Sequence, residues 1–295
     1  MTFDNSHWRN LSPAERERQY SPSSCVAAIE PFLDAYVARS RDAETRFRCQ
    51  KNLLWGEQPD ETFDYFPAAS AGAPLLVFIH GGYWQEHSKD ESLFAAPDCL
   101  ANGIAFAAID YTLAPRATLG AIVQQCRRAI ASLHRQAATL GFDAWRIYVA
   151  GSSAGAHLAA MLLVAGSRAG YGLADDVVAG SVLLSGIYDI EPLTGTYIDA
   201  ALHLTAEDAA TLSPLRLKLG RAVKTIVAWG ENETDEFKRQ SRAFAAALVR
   251  SGFPVSAFEV AGANHFDIVF GLADRDSVLG KATIEMIRGT KNKDE

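Results

Sequence analysis

Cysteine is scarce: four residues (Cys25, Cys49, Cys99 and Cys126) are spread through 295, and none forms a C-x-x-C pair. That spacing argues against a disulfide framework or a thiolate zinc site and predicts reduced, mostly packed thiols of a cytoplasmic protein. A basic block is missing too. With 28 Lys and Arg against 35 Asp and Glu the net charge is −7, which speaks against nucleic acid or an anionic membrane as partner. The longest nearly apolar stretch, Ala156–Gly166, carries His157 and is too short to span a bilayer. The start, Met1-Thr-Phe-Asp-Asn-Ser-His-Trp8, lacks the charged-then-apolar pattern of a signal peptide. No two histidines stand four apart or in an H-x-G-x-H cluster, so neither a metal nor any other cofactor is expected. Internal repeats and low-complexity segments are absent. Against these absences stands a hydrophobic content of 48%, enough for one large core, and residues 1–295 read as a single domain.

From about residue 75 the chain alternates short apolar runs with longer helical patterns. Leu75–Ile79, Ile104–Ile109, Arg146–Ala150, Ser181–Ser185, Thr225–Trp229 and Val255–Val260 are strand candidates. Between them, residues 118–139 carry Leu119, Ile122, Val123, Cys126, Ile130, Leu133 and Ala137 at three- and four-residue spacing, one face of a helix. Asp235–Ser251 reads as a second helix that stops at Gly252. This alternation predicts an α/β fold, a mostly parallel sheet covered on both faces. Before residue 75, Thr45–Trp55 and Thr62–Phe66 read as an antiparallel pair at the sheet edge. Residues 1–44 read as helical, with Val26, Ile29, Leu33 and Val37 in register and Pro31 starting or kinking the helix. Such a segment ahead of the sheet stands where it can fold over a cleft as a lid; the sequence alone leaves this open. Residues 186–223 form an irregular insertion rich in Asp, Thr and Pro, and Lys291–Glu295 a frayed tail.

The chemistry concentrates in three places. Gly151-Ser-Ser-Ala-Gly155 sits where the run Arg146–Ala150 meets the helical run Ala154–Val164, the strand-to-helix context that G-x-S-x-G requires. Its glycines permit a turn sharp enough to hold Ser153 above the end of a sheet, over the positive end of the following helix. A serine hydroxyl needs a neighbouring base, and the base needs a third group to hold its ring. Chain order on this fold is Ser, then Asp or Glu, then His. His265 follows the last strand candidate and is the candidate base; His157, one turn after Ser153, should point along the helix instead. The acid should follow Thr225–Trp229, where Glu231, Glu233, Asp235 and Glu236 crowd together. Glu233 is deep enough in the loop to turn inward, with Asp235 and Glu231 as alternatives and Asp189 as an outsider. Third, His80-Gly-Gly-Tyr-Trp84 follows a strand. Its paired glycines let the amides of Gly82 and Tyr83, with that of Ala154, surround an oxygen gaining charge, each donor worth ~3–4 kcal/mol in the transition state.

At these residues the chain resembles the kynurenine formamidases, the arylformamidase branch of the α/β hydrolases. The resemblance rests on His80-Gly-Gly-Tyr-Trp-Gln85 running into Ser88-Lys-Asp-Glu-Ser92, and on Ser153-Ala-Gly-Ala-His-Leu-Ala159. Ser185-Gly-Ile-Tyr-Asp-Ile-Glu-Pro-Leu193, Glu236-Phe-Lys-Arg-Gln-Ser241, His265-Phe-Asp-Ile268 and Gln19-Tyr-Ser-Pro-Ser23 add to it, so that it spans roughly residues 15–270. It implies an α/β-hydrolase fold with Ser153 as nucleophile, His265 as base and position 233 as acid. The family carries Asp at that position, so Glu233 is a departure. It also implies hydrolysis of N-formyl-kynurenine to kynurenine and formate, with a small aromatic amide as partner and Trp84, Tyr188 and Phe266 flanking the aryl ring. Tyr83 and Trp84 should either narrow the acyl side toward formyl or serve as packing residues under the lid. The nearest rival is hydrolysis of other small acyl arylamides or aryl esters; a non-catalytic ligand receptor and a metal-dependent formamidase are more distant ones. Whether the protein forms a homodimer is left open.

Overall fold

A computed structural model describes residues 7–166 and 177–289; the tail Lys291–Glu295 lies outside the described residues. Eight strands, β1 (Gln50–Leu54), β2 (Thr62–Phe66), β3 (Ala73–Ile79), β4 (Ala105–Ile109), β5 (Phe142–Ser152), β6 (Val178–Leu184), β7 (Lys224–Asn232) and β8 (Val255–Asn264), form one sheet. Their order is β1-β2-β4-β3-β5-β6-β7-β8. The pairings β1–β2 and β2–β4 are antiparallel and the rest are parallel. The helices are α1 (Pro13–Gln19), α2 (Glu30–Arg46), α3 (Ala96–Ala101), α4 (Leu119–Leu140), α5 (Ala154–Met161), α6 (Asp199–Leu202), α7 (Ala206–Thr211), α8 (Asp235–Arg250) and α9 (Val278–Arg288).

The central strands are buried on both faces, which is why they read as continuous apolar runs. Their period-two alternation feeds two cores. Leu75, Val77 and Ile79 of β3 join Ile147 and Val149 of β5 on the face covered by α4 and α5. Leu76, Phe78, Tyr148 and Ala150 point the other way, to a core that includes Cys99, Leu279 and Ile287. All seven apolar positions read from the α4 pattern are buried. That helix starts at Thr118, whose hydroxyl accepts from the Ala121 amide at 3.2 Å, and ends at Gly141 with φ +82°. Helix α8 ends one residue earlier than expected, at Arg250, with Gly252 left-handed just beyond (φ +82°).

The N-terminal part differs from the simple expectation. Helix α2 runs on through Arg46, held by an Arg46–Asp42 ion pair at 2.7 Å and by the Thr45 hydroxyl on the Asp42 carbonyl. The first strand is correspondingly shorter than Thr45–Trp55. Pro31 lies in the first turn of α2, so it starts that helix rather than kinking it, and Val26 falls outside, in extended backbone. All four cysteines are free thiols, with Cys99 and Cys126 buried. Among the described residues no helix is long and apolar enough to cross a membrane.

Because β3, β5, β6, β7 and β8 run parallel, the segments that follow them emerge at one edge of the sheet. Gly82, Tyr83, Ser153, Glu233 and His265 all lie in those segments.

Candidate active site

Between β5 and α5 the backbone of Ser153 adopts φ +55°, ψ −118°, a conformation that side chains rarely hold without strain. Close packing enforces the turn. A Cβ on Gly151 would come within 2.3 Å of the Gly155 carbonyl group, and one on Gly155 within 2.0 Å of the Ile79 carbonyl oxygen. The Ser153 amide donates to the Leu184 carbonyl at 2.8 Å, tying the turn to the end of β6. Ala154 is the first residue of α5, where an amide has no acceptor within its own helix.

Facing the turn is the segment after β3. Gly81 lies against the turn: a Cβ there would meet the Ser152 carbonyl oxygen at 2.9 Å and the Ser153 Cβ at 3.3 Å. Gly82, Tyr83 and Trp84 then follow with φ of +88°, +48° and +61°. This left-handed curl needs a glycine at 82, where a Cβ would strike the Glu86 carbonyl oxygen at 2.4 Å. It closes with the amides of Gln85 and Glu86 on the Gly82 carbonyl, at 2.9 and 3.0 Å. Tyr111 braces the segment from below, stacking on His80 at 4.1 Å between ring centroids and donating its hydroxyl to the His80 carbonyl at 3.1 Å. Burial pushes the His80 imidazole down to about 4.

The carboxylate that meets His265 is that of Glu233: its Oε2 lies 3.1 Å from Nδ1 of the ring. The other oxygen, Oε1, accepts from the Ser185 hydroxyl and the Gly230 amide, both at 2.5 Å. Asp235 is exposed at the start of α8, and Glu231 is exposed with Oε2 on the Gly262 amide at 2.8 Å. Asp189 is fully buried and engaged with Arg216 at 2.8 Å. The ring of His265 packs edge-on against Phe237, with centroids 4.5 Å apart. Asn264 caps its loop: its Oδ1 accepts from the Phe266 amide at 2.8 Å, and its own amide donates to Asp267. His157 points away, with Nε2 donating to the Leu212 carbonyl at 2.7 Å.

Ser153, His265, Gly81, Gly82 and Tyr83 line one cavity of about 330 Å³. Phe266 lines it as well, but two of the residues expected beside it do not. Trp84 is fully buried beneath the glycine segment, edge-on to His157 at 5.0 Å, while Tyr83 in the same left-handed curl lines the cavity. Tyr188 is fully buried and stacked on Phe244 at 4.3 Å, on the core side of its loop. The aromatic walls instead include Tyr36, Phe78, Phe94 and Tyr197. Pro22, Ser23, Ile29 and Tyr36 bring the N-terminal segment onto the cavity, and Tyr36 donates its hydroxyl to the Phe266 carbonyl at 2.5 Å. That bond joins residues 230 apart, a separation that no local pattern announces.

Away from the cavity, Glu44, Asp64 and Asp90 bring carboxylate oxygens within 4.8 Å of one another. The ammonium groups of Lys51 and Lys89 already stand among them, Lys89 at 3.2 Å from Asp64 and 2.8 Å from Asp90. This is a charge-paired cluster rather than a set of donors awaiting a cation.

A serine on a strained strand-to-helix turn, a histidine held by a carboxylate, and the sheet order that carries them define an α/β-hydrolase fold. A solved structure described as a putative thioesterase from Silicibacter sp. TM1040 superposes with a TM-score of 0.79 at 26% identity, covering 92% of this chain and 97% of its own. The family model described as BD-FAE matches residues 64–178. More specifically, the chain belongs to the kynurenine formamidase family. It is 36% identical to kynurenine formamidase of Danio rerio, covering 96% of this chain and 99% of that protein. It is 33% identical to that of Salmo salar, with the same coverage.

Proposed function

We propose that the protein hydrolyses the formamide of N-formyl-kynurenine to kynurenine and formate, with Ser153, His265 and Glu233 as nucleophile, base and acid. The observation that carries this reading is a serine on a strained turn and a Glu233-held His265 lining one cavity in a chain of this family. Ser153 Oγ attacks the formyl carbon while His265 takes its proton. The amides of Gly82, Tyr83 and Ala154 hold the oxyanion. The intermediate collapses, the C–N bond breaks, and His265 returns the proton to the departing aniline nitrogen. Water, deprotonated by His265, then attacks the formyl ester and releases formate and the free serine.

Two features support a small acyl group on an aryl amine. Tyr83 lines the cavity directly beside the amides proposed to hold the oxyanion, and its hydroxyl is tied to the Tyr20 carbonyl, so its ring is not free to swing aside. Phe266 and the other aromatic walls suit a planar aryl leaving group. The walls come from segments between Pro22 and Val269, which supports one functional unit with residues 22–36 as a fixed cover. The free thiols suit a cytoplasmic enzyme.

The test is steady-state kinetics on N-formyl-kynurenine beside formyl, acetyl and butyryl anilides, with fluorophosphonate labelling. The expected result is turnover falling with acyl length, and labelling and activity both lost in Ser153→Ala, kcat dropping by on the order of 10⁴ or more. Activity that grows with acyl length would transfer the reading to an esterase of the same chemistry.

A further inference from the structure

Strand β6 ends at Leu184, and the next residue, Ser185, turns with φ +50° while its amide donates to the Ala228 carbonyl at 2.8 Å. Ser185 is fully buried. A left-handed backbone favours glycine, and a buried hydroxyl must be partnered, so serine is a costly choice for a turn alone. What serine adds here is one bond, from its hydroxyl to Glu233 Oε1 at 2.5 Å. The Gly230 amide donates to the same oxygen at 2.5 Å, leaving Oε2 for His265 at 3.1 Å. One carboxylate oxygen is therefore gripped from two sides and the other faces the imidazole. Gly230 itself is closed in: a Cβ there would lie 2.6 Å from the Ala263 carbonyl oxygen.

We propose that Ser185 is a positioning residue for Glu233. A glutamate has one more rotatable bond than an aspartate and more ways to miss the ring. The Ser185 hydroxyl and the Gly230 amide together remove that freedom, so the longer side chain presents a fixed oxygen to Nδ1. Ser185 touches neither the cavity nor the reacting atoms; it acts through Glu233. This inference rests on the reading of Ser153, His265 and Glu233 as the acting groups.

Ser185→Gly tests it, because glycine accepts φ +50° more readily than serine does. The variant should keep or raise the thermal midpoint while kcat falls about tenfold, the expected loss of one hydrogen bond to a charged group. KM should stay within about twofold, since no group that touches substrate has changed. In a Glu233→Asp background the same substitution should change kcat by less than about twofold, because the shorter carboxylate no longer spans from Ser185 to the ring. Should glycine lower the midpoint, Ser185→Ala carries the comparison on the same criteria. Unchanged kcat in the Ser185 variant of the native chain overturns the proposal, as does an equal loss in both backgrounds. Failure of the underlying reading shows elsewhere, as full activity or undiminished fluorophosphonate labelling in Ser153→Ala.

Discussion

Ser153 and Ser185 illustrate how single residues at this sheet edge hold conformations that favour glycine and keep side chains that glycine lacks. For Ser153 the strained turn (φ +55°, ψ −118°) projects the hydroxyl away from the strand and over the first turn of α5. Strain of this kind costs on the order of 1–3 kcal/mol and persists because the turn is fixed on both sides, by the close approach of Gly155 to Ile79 and of Gly81 to Ser152. Replacing the serine by glycine should release part of it. Ser153→Gly is therefore expected to be more stable than the native chain by about 1 kcal/mol, read from urea midpoints, and inactive. A glycine variant less stable than the native chain would show that the turn is relaxed. The same scale explains what the sequence disclosed and what it hid. G-x-S-x-G and a late histidine are legible because each proposed role depends on covalent neighbours: the glycines beside Ser153, the strand end before His265. Glu233 is singled out by depth in its loop, three residues past Gly230, and meets the ring at 3.1 Å. The walls of the cavity are another matter. Nothing in His80-Gly-Gly-Tyr-Trp84 says which of two adjacent aromatics faces the cavity, since that depends on three successive left-handed residues curling the chain between them.

Among the elements, the strands from β3 onward and the long helix α4 follow directly from apolar runs and spacing, and α8 from its stop at Gly252. The N-terminal segment does not. Its helical content was legible, but its docking is carried by polar atoms far apart in sequence. The Thr234 hydroxyl donates to the Gln19 carbonyl at 2.6 Å, and the Glu236 amide donates to the Gln19 side chain at 3.2 Å. The Tyr20 hydroxyl donates to Glu236 at 2.7 Å and accepts from Gln240 at 3.1 Å. Tyr83 closes the set by donating to the Tyr20 carbonyl, so one short stretch links the segment after β3 to the start of α8. Each tie is satisfied only after the sheet has brought both partners together, which is why α1 and its successor read as undirected in the sequence. The tie from Tyr83 is the one that reaches the cavity. Tyr83→Phe keeps the ring and removes the donor, leaving the Tyr20 carbonyl short of a partner at a cost of roughly 1–3 kcal/mol. The expected outcome is faster limited proteolysis between Pro13 and Ser24, together with rising turnover of acetyl relative to formyl anilide as the ring gains freedom. Unchanged proteolysis and unchanged acyl preference would mean that the tether holds neither the segment nor the ring.

For the molecule as a whole, central strands buried on both faces leave no wet side there to receive polar groups, so those that do enter must be neutral or paired. His157 shows what this implies for stability. It lies in α5, fully buried, with Nε2 donating to the Leu212 carbonyl at 2.7 Å and Trp84 edge-on at 5.0 Å. Burial pushes its imidazole from 6.5 down to about 4. With the folded value depressed below the unfolded one, its contribution is complete above about pH 6.5 and drains as pH falls toward 4. In that window the unfolded chain takes up a proton that the folded chain refuses. His80, also pushed to about 4, acts in the same direction, whereas Asp110, raised by burial to about 6, opposes both. The total pH profile therefore mixes signs, and a single-site comparison separates them. His157→Gln removes the titrating ring, so it should be less stable than the native chain at pH 8 through lost packing. As the pH is lowered to about 4.5, only the native chain carries the penalty of keeping this ring neutral, and the gap should narrow by roughly 2–3 kcal/mol in urea unfolding. A gap that stays constant from pH 8 to 4.5 would show that the ring takes up its proton as readily in the folded chain as in the unfolded one, and the dry contact with Leu212 and Trp84 would have to be redrawn.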